Sequence, residues 1–137
     1  MFERILLAID GSPEAERGTP LAQSLASLDH GEVIVFHVME REVTLMGTFP
    51  LEYGKEATEL VDGIVRRLKD SGVAARGDLQ FGARGWTAHE IVEAAVREDA
   101  DLIIMGSRGL SKVSDLLLGG VTTKVLHLSD RPVLVVR

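Results

Sequence analysis

Ile5-Leu6-Leu7-Ala8-Ile9-Asp10-Gly11-Ser12-Pro13 is the stretch that decides the fold. An unbroken apolar run meets an acid, a glycine and a Ser-Pro pair. A strand that alternates apolar and polar residues shows one face to water. One that is apolar throughout is buried on both faces, as in the middle of a parallel sheet. Asp10-Gly11 marks a turn. Ser12 offers a hydroxyl to the free amides of a helix start, and Pro13 suits its first turn. The segment reads strand, turn, helix.

The same unit recurs along the chain. Val33–Val38, Leu102–Met105 and Val133–Val136 are nearly continuous apolar runs. Ala75–Arg84 interleaves Arg76, Asp78 and Gln80, so it reads as an edge strand. Between the runs lie helical stripes. Pro13–Leu28 carries Ala15, Leu21, Ala22, Leu25 and Leu28; Pro20 removes a backbone donor there and predicts a kink or a loose first turn. Leu51–Lys69 carries Tyr53, Ala57, Leu60, Val61, Ile64 and Leu68 and stops before Gly72. Thr87–Glu98 and Asp115–Leu128 complete the set. Strand–helix alternation predicts right-handed crossovers and a five-stranded parallel α/β sheet with helices on both faces. Glu40–Pro50 is read as one long irregular connection. It is too apolar for a simple solvated loop, and fits a flexible flap or a segment lying against a partner.

Composition narrows the function. At 137 residues the chain suits one domain, 1–137, within the usual ~100–200 residues. There is no cysteine, which removes disulfides, thiolate metal sites and thiol catalysis. The net charge of −6 argues against a nucleic-acid or membrane-surface binder, both of which usually need a basic face. No apolar run reaches the ~18 residues of a membrane span. Met1-Phe2-Glu3-Arg4 leads into a strand without a signal-peptide pattern, so a cytoplasmic location is expected.

A ligand of an open parallel sheet sits beyond the carboxyl ends of the strands. Three such ends carry chemistry, one of them His37-Val38-Met39 at the end of the second strand. The strongest is Gly106-Ser107-Arg108-Gly109, then nine residues, then Gly119-Gly120-Val121-Thr122-Thr123. Glycines turn several N–H groups toward one point, and a helix start beyond them adds positive charge. Thr122 and Thr123 would add hydroxyl donors, and Arg108 and Lys112 charge. The plainer reading is two tight turns. Neither GxxxxGK[ST] nor GxGxxG is present. Another is Asp10, an acceptor for ribose hydroxyls, a help in holding a metal on a phosphate chain, or a cap on its own turn.

Taken together, these segments resemble the universal stress protein family, the UspA-like domain. The likeness covers Ile5–Ser12, Ala100–Gly109, Lys124-Val125-Leu126 and Arg131–Val136, and so nearly the whole chain. It implies strand order 3-2-1-4-5, an adenine-nucleotide alpha-hydrolase-like fold, and a homodimer through Val133–Val136. It also implies a branch that binds ATP or AMP through G-2x-G-9x-G-[S/T]. Gly106, Gly109 and Gly119 fit that pattern, but Gly120 stands where Ser or Thr belongs. One lost hydrogen bond costs ~0.5–1.5 kcal/mol, which weakens binding without abolishing it. By the resemblance, Ala8 and Ile9 line the base, Val38 meets the adenine edge, and Asp10 faces the ribose. Met105, Gly106, Arg108 and Gly109, with Gly119, Gly120, Val121 and Thr122, wrap the phosphates. Mg2+ or Mn2+ would ride on the phosphates.

Other candidates carry less. No pair among His30, His37, His89 and His127 has HExxH spacing, and His37 reads as a core or rim residue. No serine sits in GxSxG. Trp86 reads as a packing residue. A nucleotide-binding regulator is the leading expectation. A slow ATPase, with Asp10 or a metal-bound water as base, and a dimerisation protein without nucleotide remain the alternatives. An apolar terminal strand left bare would invite aggregation, so pairing with a second copy is expected.

Overall fold

The computed structural model describes residues 1–50, 54–108 and 118–137. Strand β1 (Arg4–Ala8) leads to helix α1 (Pro13–Asp29), then β2 (Glu32–Thr44) and β3 (Gly47–Pro50). Helix α2 (Gly54–Asp70), β4 (Ala74–Ala83) and α3 (Thr87–Arg97) follow. The chain ends with β5 (Leu102–Gly106), α4 (Gly120–Leu128) and β6 (Val133–Val136).

Five strands are parallel. β1 lies between β2 and β5, β4 flanks β2, and β6 flanks β5. In chain order of the parallel strands this is 3-2-1-4-5. Ile5, Leu7 and Ile9 point to one cluster with Ala22 and Ala26 of α1 and Val61, Ile64 and Leu68 of α2. Leu6 and Ala8 point to the other, with Ile91, Ala94 and Ala95 of α3 and Val125 of α4. That split is why the central strand is apolar at every position. Replacing Leu7, which is fully buried, by alanine would cost roughly 2–5 kcal/mol. On β4 only Ala75 and Gly82 are buried, as an edge strand with interleaved charges should be.

The Glu40–Pro50 expectation is corrected. β2 continues to Thr44, turns through Leu45-Met46, and returns as the antiparallel β3, so the sheet has six strands and is mixed. Gly47 at φ +134 permits the turn. The Thr44 hydroxyl accepts from the Met46 amide at 3.2 Å and donates to the Gly47 carbonyl at 3.1 Å. These local bonds hold a hairpin that apolar patterning does not reveal, because Val43, Leu45, Met46 and Phe49 are all exposed.

Helix α1 begins where expected. Ser12 caps it, its Oγ accepting from the Ala15 amide at 3.2 Å. The helix continues through Pro20 to Asp29. The first parts of the predicted Leu51–Lys69 and Asp115–Leu128 helices lie outside the described residues.

Candidate functional site

From β1 the chain steps outward to β2 and β4 on one side; β5 and β6 lie on the other. The order therefore reverses between β1 and β5, and a crevice opens beyond their carboxyl ends. A cavity of about 540 Å³ occupies it, within the usual size of small-molecule sites.

One end of the cavity is backbone. β5 ends at Gly106, and the Ser107 amide donates to the Val136 carbonyl at 2.7 Å. The Gly119 amide returns to the Ser107 carbonyl at 2.8 Å, which brings the start of α4 beside the strand end. Gly119 has no side chain to cap the helix. Among the described residues nothing accepts from the amides of Gly120, Val121 and Thr122, and all three residues line the cavity. An uncapped helix start with amides facing a crevice attracts an anion.

Two side chains expected to help are used by the fold instead. The Thr122 hydroxyl is buried and donates to the Gly106 carbonyl at 2.8 Å. The Thr123 hydroxyl donates to the Gly119 carbonyl at 3.0 Å. Arg108 lines the cavity, and its guanidinium lies 3.5 Å from a Glu14 oxygen, so its charge is partly compensated. Lys112 and Gly109 lie outside the described residues. Gly106 has a role the spacing does not reveal. A Cβ there would lie 2.9 Å from the Ala15 amide nitrogen and 3.1 Å from the Glu14 Cβ, so the start of α1 packs directly on it.

Asp10 stands at the middle. One oxygen accepts from the Ser12 amide at 2.9 Å, which is the turn-capping reading. The same half-buried residue also lines the cavity.

The other end is built from side chains. Ala8, Val38 and Met105 form apolar walls, with Ile9 beside them. The structure brings eleven of the twelve sequence-predicted residues around this one cavity, and Gly109 is the twelfth. It also adds residues the sequence reading missed as lining. Ile91 belongs to the core stripe of α3 and reaches the cavity with its exposed margin. His37 is buried at the rim, its Nδ1 2.7 Å from the Ile9 carbonyl oxygen. Glu40 and Thr87 line the cavity together, the Thr87 hydroxyl donating to Glu40 Oε1 at 2.6 Å. Glu40 follows Val38 by two residues on one strand, and that period was the available signal. Glu56 of α2 also borders the opening. Trp86 is 54% exposed and its ring meets that of His89 at a 45° tilt, 4.5 Å between centroids.

Asp10, Glu40 and Glu56 make the side-chain lining acidic. Attraction for an anion therefore falls to the amides of α4 and to Arg108. The described residues contain no group of three or more His, Asp or Glu suited to a metal ion. No helix among them is long and apolar enough to cross a membrane.

Residues 1–137 match the model of the universal stress protein family. Universal stress protein YxiE of Bacillus subtilis is 35% identical, with all of both chains covered. The solved structure of MJ0577 from Methanocaldococcus jannaschii is 30% identical with a TM-score of 0.83, covering 99% of this chain and 96% of that one. A universal stress protein from Archaeoglobus fulgidus, solved with dAMP, has the same fold at 20% identity. Its TM-score is 0.73, with 100% of this chain and 98% of that one covered. The chain belongs to the universal stress protein family.

Proposed function

We propose that this member of the universal stress protein family is a regulatory protein of the stress response that binds an adenine nucleotide, ATP or AMP, in the cavity between β1, β2 and β5. One observation carries the reading. The three unpaired amides of Gly120, Val121 and Thr122 open onto the same cavity as the apolar walls of Ala8, Val38 and Met105. A phosphate suits the first and a base the second. The A. fulgidus protein solved with dAMP supports the same ligand class.

The nucleotide lies with its phosphates against Gly106, Arg108 and Gly119 to Thr122, and the glycine spacing alone assigns Gly109 to the same group. Asp10 accepts from the ribose. Ala8, Ile9, Val38 and Met105 enclose the base. A divalent ion, Mg2+ or Mn2+, arrives on the phosphates, which also offsets the acidic lining. The protein holds its nucleotide rather than turning it over: Asp10 caps its own turn through one oxygen and is assigned to the ribose through the other. The protein works in the cytoplasm as a homodimer through Val133–Val136. In the described sheet β6 pairs only with β5, which leaves its other edge for the second copy.

The test is direct. Purified protein is denatured and any released nucleotide identified. ATP, ADP and AMP are then titrated into nucleotide-free protein with and without magnesium. Saturable binding of one of them is expected. No binding at millimolar nucleotide overturns the reading and favours a dimerisation protein without ligand. Sedimentation at micromolar concentration reads the assembly, and a monomer would contradict the β6 interface.

A further inference from the structure

Glu40 and Thr87 come from different elements, 47 residues apart, and meet at the cavity wall. From these positions we infer that Glu40, held by Thr87, is the side chain that selects the base, by accepting a hydrogen bond from the exocyclic amino group of adenine. This rests on the nucleotide reading above.

The topology orders the ligand. The free amides of α4 follow β5, Asp10 follows β1, and Glu40 lies near the carboxyl end of β2 on the far side of β1. A nucleotide with its phosphate on α4 and its ribose at Asp10 therefore lays its base at β2. The side chain of Glu40 leaves the strand on the same face as Val38, two residues before it. A half-buried carboxylate beside an apolar wall needs a donor to face it.

The bond to Thr87 sets what that donor is. The single hydroxyl proton of Thr87 is spent on Oε1. Oε2 is left to accept, and the Thr87 oxygen can only accept as well. The pair thus presents acceptors and no donor. An amino group fits; a ring carbonyl does not. Hypoxanthine and guanine both carry a carbonyl at the position where adenine carries its amino group. The paired N–H donors of guanine would need both carboxylate oxygens, and Oε1 would have to accept a second bond beside the one from Thr87.

AMP, IMP and GMP are titrated calorimetrically into nucleotide-free wild type and into Glu40→Gln and Thr87→Val, with thermal melts to confirm that each variant folds. Wild type is expected to favour AMP over IMP by about tenfold or more, since a site built for a donor rejects an analogue lacking it. Glu40→Gln gains an N–H2 that can face the carbonyl, so the preference should collapse toward unity or invert. Thr87→Val frees Oε1 and should raise GMP affinity several-fold relative to AMP. A mere structural role for Glu40 would weaken all three ligands in parallel. AMP binding with an AMP:IMP ratio equal in wild type and Glu40→Gln overturns this inference and leaves the nucleotide reading standing. Failure of every nucleotide to bind wild type overturns both.

Discussion

The two ends of the sheet are finished differently. At the amino ends of the strands, neighbouring loops supply acceptors and charges to the chain. Asp101 Oδ2 accepts from the Glu3 amide at 2.8 Å and the Arg4 amide at 3.3 Å. Asp29 accepts from the Phe2 amide at 3.2 Å. Arg76 joins Glu32 of β2 to Glu98 at the end of α3, and Arg4 reaches Asp99. At the carboxyl ends the first turn of α4 is left without a cap, and a cavity opens beside it. The contrast teaches where to look. The first amides of a helix have no intrahelical partner, and those of Gly120 and Val121 belong to exposed residues beside the cavity, so this end is open to a ligand where the other end is closed by its own side chains. Substitutions at the amino ends should act on stability, and those at the carboxyl ends on binding.

Gly106→Val is the largest expected break in that partition. It lies at the carboxyl end, yet its new Cβ would press on the backbone of α1, at a cost of about 3 kcal/mol in urea denaturation. A loss under ~0.5 kcal/mol would mean that α1 does not pack there as described. Asp101→Ala comes next. It strips two amides of their acceptor and should cost about 2 kcal/mol while nucleotide affinity stays within about twofold. A large fall in affinity would erase the distinction between the ends.

Val121→Asp sharpens it. Val121 is partly exposed in the first turn of α4, and a carboxylate there interacts favourably with the helix dipole, by about 0.3–1 kcal/mol. The same charge repels phosphate, so AMP affinity should fall about tenfold, or ~1.4 kcal/mol, as stability holds or rises. Unchanged affinity would remove α4 from the site.

The smallest effect is a pH dependence at the amino end. The hydrogen bond from Arg76 holds the Glu98 carboxyl below its usual range, against the opposing pull of burial. A carboxyl lowered in the folded state contributes stability above its unfolded value, and loses it as pH falls through the folded one. Wild type should therefore lose melting temperature below about pH 4.3 more steeply than Arg76→Met, by an amount worth under about 1 kcal/mol. Parallel curves would show the Arg76 pair to be idle.

Much of this was legible in the sequence because burial on both faces leaves a direct trace. Ile5–Ile9 and Leu102–Met105 could be read as central strands from their unbroken apolar runs, and Ser12-Pro13 marked the helix start. The hairpin was not legible. Its apolar residues face solvent, and its order comes from the Thr44 hydroxyl and the conformation of Gly47 rather than from a hydrophobic face. Glycine spacing pointed to the cavity end at the start of α4 but gave no account of Gly106 as a contact for α1. The Thr122 hydroxyl looked available in sequence and is consumed by the Gly106 carbonyl, a bond between residues 16 apart. Glu40 and Thr87 escaped because neither belongs to a motif; they become a pair only when β2 and α3 meet.

The account stands on three amides. In an isotope-labelled sample titrated with AMP, the amide resonances of Gly120, Val121 and Thr122 should shift and saturate together, while those of Glu3 and Arg4 stay in place. If AMP leaves the three α4 amides unmoved, or moves both ends of the sheet alike, the cavity is not the nucleotide site.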